Sequence, residues 1–158
     1  MADARIYADL KADHDRHRDL LARIDKASGD ERAELFEAFR VEVTAHAAAE
    51  EEALYATMLA NPDLRDEARH SVSEHKEIDD YLGEIAKLDP ASNAWNERFA
   101  EMRHRYEHHI DEEEEEMFPA AAKELDDAEE ARIARVFEER KPIEKEMAGH
   151  AEAGDDRE

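Results

Sequence analysis

The chain has 158 residues and a formal net charge of -23 at pH 7, from 45 acidic against 22 basic side chains. That excess of negative charge disfavours nucleic acid and anionic membrane surfaces as partners, and the absence of cysteine excludes disulfides, thiolate metal ligands and a cysteine nucleophile. No run approaches the roughly 20 apolar residues of a membrane span and MADARIYADLK lacks the apolar stretch of a signal peptide, so a cytoplasmic single domain is expected.

With four glycines and four prolines, and with Ala, Glu, Leu, Arg and Asp dominating, the composition favours helix throughout. The first helix is predicted over 3–28, where Ser28-Gly29-Asp30 supplies a stop and then a cap. The second spans 30–60 and the third 62–88, separated by Asn61-Pro62-Asp63 and closed by Asp89-Pro90, each proline following a capping side chain. The fourth spans 91–118. Pro119 is expected to kink or end it, and Lys141-Pro142 to interrupt the shorter helical segment that follows. Short connections between long helices imply an all-α, antiparallel up-down four-helix bundle over 1–125. A short C-terminal helical extension over 126–148 and a disordered tail over 149–158 complete the expected organisation.

Each helix carries an apolar stripe at steps of three and four residues. The stripes read Ile6, Leu10, His14, His17, Leu21, Ile24; Leu35, Phe39, Val43, His46, Glu50, Leu54; Ala68, Val72, His75, Asp79, Leu82, Ile85; and Trp95, Phe99, Met102, Tyr106, His109, Glu113. All four turn to histidine partway along, and the last three also to a carboxylate. A charged carboxylate facing a core is costly unless it is paired or bound to a metal.

An internal repeat sharpens the pattern. LKADHDRHRDLLARI from residue 10 matches SVSEHKEIDDYLGEI from residue 71, with an acid before each histidine (Asp13-His14, Glu74-His75). HAAAEEEALYATML from 46 matches HIDEEEEEMFPAAA from 109, pairing His46 with His109, Glu50 with Glu113, and Leu54-Tyr55 with Met117-Phe118. Each half thus supplies one lone histidine and one His-x-x-x-Glu pair, whose members share a helix face one turn apart. Four imidazoles and two carboxylates form a hard-to-borderline donor set suited to Fe, Mn or Zn, and carboxylates from opposing helices can bridge two such ions.

The blander alternatives separate by position. A single histidine on an apolar stripe is more often a hydrogen-bonded core residue, and a single His-x-x-x-Glu in an acidic helix is usually an exposed pair; it is the coincidence of four stripes with the repeat that points to metal. His17 shares the face of His14 and is a candidate neighbour of the site. His70, His104, His108 and His150 fall off the stripes, and Glu112, Glu114, Glu115 and Glu116 read as surface charge. Glu67-x-x-His70 and Glu101-x-x-His104 have the spacing of ferritin-like di-iron motifs, but their histidines lie off the apolar face.

Asp13-His14, HAAAEEEALY, Glu74-His75 and HHIDEEEEEMFP together resemble the hemerythrin-like proteins with an HHE cation-binding domain, over roughly residues 5–120. The resemblance implies a four-helix bundle around a non-haem di-iron centre, oxo- and carboxylate-bridged. Its ligands here would be His14, His46, Glu50, His75, His109 and Glu113, with Glu50 and Glu113 bridging. Oxygen-carrying members have His-x-x-x-His on the third helix, where this chain has Asp79, and a longer His-to-Asp spacing on the fourth. Two irons, with Mn or Zn as substitutes, would therefore be nearly equivalent and open to a small ligand such as O2, peroxide or NO. Binding of oxygen-derived or nitrogen-oxide species at the di-iron centre is the leading expectation, with catalase-like peroxide decomposition as an activity such a centre allows. A binding module that senses iron, oxygen or redox state, or serves iron homeostasis, without turnover is the alternative.

Overall fold

A computed structural model describes residues 4–151. Among these the ordered elements are all helical: α1 (Arg5–Lys26), α2 (Gly29–Glu50), a π-helical turn (Glu51–Tyr55), α3 (Ala56–Leu59), α4 (Arg65–Ala86), α5 (Asn93–Glu112), a second π-helical turn (Glu113–Met117), α6 (Phe118–Glu124) and α7 (Asp127–His150). None of the described helices is long and apolar enough to cross a membrane.

The boundaries follow from local chemistry. Gly29 takes φ +59°, in the left-handed region that other residues rarely adopt, and so lets the chain turn from α1 into α2. Ser92 Oγ accepts the Trp95 N–H at 3.1 Å and caps α5. Asp126 and Glu129 form a reciprocal capping box at the start of α7.

Two prolines behave differently from expectation. Pro119 does not end its helix: it falls in the first turn of α6, where its missing N–H is tolerated. The π turn just upstream has already redirected the carbonyls that an interior proline would meet. Pro142 lies inside α7 without interrupting it, although an interior proline costs roughly 3 kcal/mol. Packing of α7 along α1, α2 and the first π turn offsets that cost. The expected short C-terminal segment is consequently a 24-residue helix running to His150. It includes Gly149 and His150, assigned from the sequence to a disordered tail; Ala151 of that tail forms a bend, and 152–158 lie outside the described residues.

The apolar side chains gather into two clusters. One joins Leu10, Leu54, Tyr55, Met58, Phe118 and Phe137. The other joins Leu21, Phe39, Val43, Leu82, Trp95 and Phe99. Along α1 and α4 the chain passes from the first cluster to the second; along α2 and α5 it passes back. In all four helices the stretch between clusters carries the histidines and carboxylates, so the polar residues of the stripes form one layer between two apolar cores.

Candidate metal centre

All six residues selected from the stripes lie in that layer. His14, His46, Glu50, His109 and Glu113 are at most 2% exposed, and the His75 side chain is 8% exposed. Their donor atoms fall into two groups, His14, His46, Glu50 and Glu113 in one and His75, His109 and Glu113 in the other, with the donors of each group within 4.8 Å of one another. Glu113 belongs to both. Its Oε1 is 3.4 Å from His14 Nε2 and its Oε2 is 3.2 Å from His109 Nε2. Glu50 Oε1 also faces both halves, 3.6 Å from His46 Nε2 and 3.4 Å from His75 Nε2.

Each imidazole is held from behind by a carboxylate at its Nδ1. Glu114 holds His14 at 2.7 Å, Asp13 holds His46 at 2.8 Å, Glu51 holds His75 at 3.2 Å, and Glu74 holds His109 at 2.8 Å. An ionised carboxylate can only accept, so each fixes the Nδ1–H tautomer and turns the Nε2 lone pair toward the centre. The arrangement respects the repeat: Asp13 and Glu74 reach across to the next long helix of their own half, whereas Glu51 and Glu114 reach into the opposite half. Two of these four acids, Glu51 and Glu114, lie in runs that read as ordinary charge, and Glu114 was assigned to the surface; in the structure it is 21% exposed and paired with His14. The signal was present in the acids adjoining His14, His75, Glu50 and Glu113.

The two π turns begin immediately after Glu50 and at Glu113. Such wider turns concentrate at functional sites, and here both follow the His-x-x-x-Glu pairs. They also set a pair of aromatic rings, Tyr55 and Phe118, against imidazoles: Tyr55 stacks on His75 at 5.2 Å and Phe118 on His14 at 6.1 Å. The pair breaks the symmetry of the halves. The Tyr55 hydroxyl donates to Glu113 Oε2 at 2.5 Å and lies 3.4 Å from His75 Nε2, so the second donor group has an additional oxygen at hand.

Behind His46 a charged chain runs into α7. Asp13 Oδ2 is 2.8 Å from Lys141 Nζ, which lies 3.0 Å from Glu42 Oε2; Arg16 also pairs with Asp13. His17 is fully buried, its Nδ1 2.7 Å from the Tyr106 hydroxyl and its ring edge-on to His46. Burial pushes its pKa down to about 4, so it is neutral at pH 7. His70, His104, His108 and His150 are exposed, as their positions off the stripes predicted. Asp79 stands beside His75 on the wall of a cavity, outside both donor groups.

The donor set fits bound cations. His14 Nε2, His46 Nε2, both Glu50 oxygens and Glu113 Oε1 are buried without a hydrogen-bond partner, an arrangement that costs several kcal/mol for a buried charge with no counter-ion. Without metal the centre can relieve this only with protons. Burial, followed by the charge of Glu113, pushes the Glu50 carboxyl well above the usual carboxylate range. Burial also opposes charge on His109, but the hydrogen bonds and charges of Glu113 and Glu74 outweigh it and raise that imidazole to about 9. A pair of divalent cations would replace those protons.

The chain belongs to the hemerythrin HHE cation binding domain family, whose profile matches residues 5–121. Among solved structures, it is similar to the hemerythrin HHE cation binding domain-containing protein from Mycobacterium kansasii, an Rv2633c homolog. The two are 23% identical with a TM-score of 0.78 over 93% of this chain and 90% of that one. At that identity the likeness is one of fold, and it extends beyond the family-matched region into α7. No curated protein matches the chain.

Proposed function

We propose that this is a di-iron protein of the hemerythrin-like class that binds O2, peroxide or NO at paired metal ions and decomposes hydrogen peroxide in a catalase-like reaction. Manganese or zinc would serve as substitute metals. His14 and His46 would hold one ion and His75 and His109 the other, with Glu50 and Glu113 shared between them. The observation that carries this reading is the sharing itself: two buried donor groups meet at Glu113, and the first of them holds five buried donor atoms with no hydrogen-bond partner. The alternation of α1, α2, α4 and α5 between the two apolar clusters supports an antiparallel up-down four-helix bundle over residues 1–125. The helix beyond it would be an extension of that domain, and the protein cytoplasmic.

Bound iron would supply Lewis acidity and electrons. The protein's own contribution is to hold four imidazoles in one tautomer, to exclude bulk water with two apolar clusters, and to place the neutral His17 and the Tyr106 hydroxyl beside the centre as a hydrogen-bonded pair. The test is iron content together with oxygen evolution, 2 H2O2 giving 2 H2O and O2. Two irons per chain with turnover well above that of free iron are expected. Two irons without turnover would instead favour the sensing or homeostasis role, and a metal-free protein from iron-rich growth would overturn the centre.

A further inference from the structure

We propose that His70, Glu74 and Glu112, with His108 behind Glu112, form a second site for a divalent transition cation, on the surface of α4 and α5, and that a cation held there is passed inward to the buried centre. The outer site stands on its own donors; its role as a loading station rests on the metal centre proposed above. His70 Nε2 lies 3.5 Å from Glu74 Oε1 and 3.5 Å from Glu112 Oε1, and one donor atom from each of the three falls within 4.8 Å of the others. His108 Nε2 lies 3.2 Å from the second Glu112 oxygen. Imidazole and carboxylate together suit zinc, ferrous iron or manganese. Both imidazoles are exposed, so water can complete the coordination and the ion can leave again. Two motifs that the buried centre does not use meet here, Glu67-x-x-His70 and the first histidine of HHIDEEEEEMFP.

The internal repeat supplies the contrast. In the first half the positions matching His70, His108 and Glu112 are Asp9, Ala45 and Ala49. Both alanines are fully buried, and α7 packs along α1 and α2. The equivalent positions of α4 and α5 reach water, and there the chain places donors. Further along the seam between α4 and α5 the acids meet arginine, Glu77 with Arg105 and Glu84 with Arg98, each at 2.8 Å. A guanidinium offers a metal no lone pair, whereas an imidazole does. Negative charge is also crowded at this end: burial, followed by the charges of Glu116 and Glu112, pushes the Glu67 carboxyl up. A divalent cation relieves that crowding.

Glu74 joins the two sites. Its Oε1 faces exposed His70 on one side and accepts from His109 Nδ1 at 2.8 Å on the other. The inner donors are buried, so an ion must shed its water before it reaches them. The acidic chain draws cations to its whole surface, and this cluster gives them a fixed point of arrival beside His109.

Iron-loaded protein dialysed against zinc tests the outer site, because elemental analysis then reads inner ions as iron and the outer ion as zinc. About one zinc per chain beyond the two irons is expected, removable by EDTA with the iron retained. The double variant His70→Gln/His108→Gln should weaken zinc binding at least tenfold with helix content unchanged, and His150→Gln, which removes an exposed imidazole on α7, should not. Glu112→Gln should weaken it as well, and decides the matter if the double variant does not fold. Loading is followed without oxygen, as the rate at which ferrous iron added to metal-free protein becomes resistant to a chromophoric chelator. The double variant should load at least fivefold more slowly yet still reach two irons per chain, since no inner donor is altered. Zinc bound equally by wild type and the folded variants would overturn the outer site. Zinc binding lost with an unchanged loading rate would overturn its role as a loading station. Protein that takes up no iron overturns the centre and the loading role together, and zinc titration of the metal-free chain then decides the outer site.

Discussion

Asp13 precedes His14 in the chain yet holds His46, its Oδ2 2.8 Å from that imidazole's Nδ1. Glu74, beside His75, holds His109 at the same distance. Consecutive residues on a helix point roughly 100° apart, so an acid next to an inward histidine faces the neighbouring helix. Because such outer carboxylates orient the ring and raise its basicity, Asp13→Asn and Glu74→Gln should each weaken metal binding about 10–100-fold. Competition with a chromophoric chelator measures this, and circular dichroism should show unchanged helix content. Wild-type affinity in both variants would show that the contacts are incidental.

Glu113 lies in both donor groups, whereas His75 and His109 lie in one. His75→Ala should therefore leave about one metal per chain, held by His14, His46, Glu50 and Glu113, while Glu113→Ala, which takes a donor from each position, should lower occupancy at both. These ratios follow from the donor count each metal keeps and are read by elemental analysis. Equal losses in the two variants would remove the shared role of Glu113.

The protons that stand in for metal give a signed pH dependence. In metal-free protein His109 is raised from 6.5 to about 9, so its contribution to stability is complete below pH 6.5 and is lost as pH rises through about 9. Glu50, raised well above 4.5 chiefly by burial, acts with the same sign, since the folded state keeps a proton the unfolded state has released. Urea denaturation of metal-free protein should show stability falling between pH 6.5 and 9. Ligation requires those protons to leave, so apparent metal affinity should rise over the same window, about tenfold per pH unit for each proton displaced. A flat affinity profile would contradict the protonated resting state.

Lys141 carries the influence of α7 to the centre. It bridges Asp13 and Glu42 with 15% of its side chain exposed. Lys141→Met would remove the buried cation that two largely buried carboxylates share, leaving, among lysines and arginines, Asp13 only Arg16 and Glu42 only the longer contact with Lys145. It should cost roughly 3 kcal/mol, the low end for a broken buried pair because some water reaches the lysine. Chemical denaturation measures the loss, and Lys141→Arg, which keeps the charge, should recover much of it. A destabilisation below about 0.5 kcal/mol, the range of ordinary surface changes, would place the bridge among weak surface pairs.

Much of this was readable in the chain because burial imposes a period. His14, His46, His75 and His109 sit three or four residues after Leu10, Val43, Val72 and Tyr106, the spacing of a buried helix face. The repeat then distinguished Glu113 from the four glutamates around it by matching it to Glu50. The acids behind the rings were not readable as partners, since Glu114 or Glu51 in a charged run looks the same whether solvated or paired. Nor were the π turns, which change the hydrogen-bond step without changing composition. The course of α7 was hidden by Pro142, whose local cost is outweighed by contacts with α1 and α2 that no local pattern records.

Glu51 from the first hairpin steadies His75 in the second, and Glu114 returns the service to His14. Neither half is therefore self-sufficient. Severed at the connection between α3 and α4, the molecule becomes a split pair whose fragments each carry half of the cation's cage. Their reassembly should then depend on the dissolved metal, turning a structural exchange of acids into a chemically triggered join.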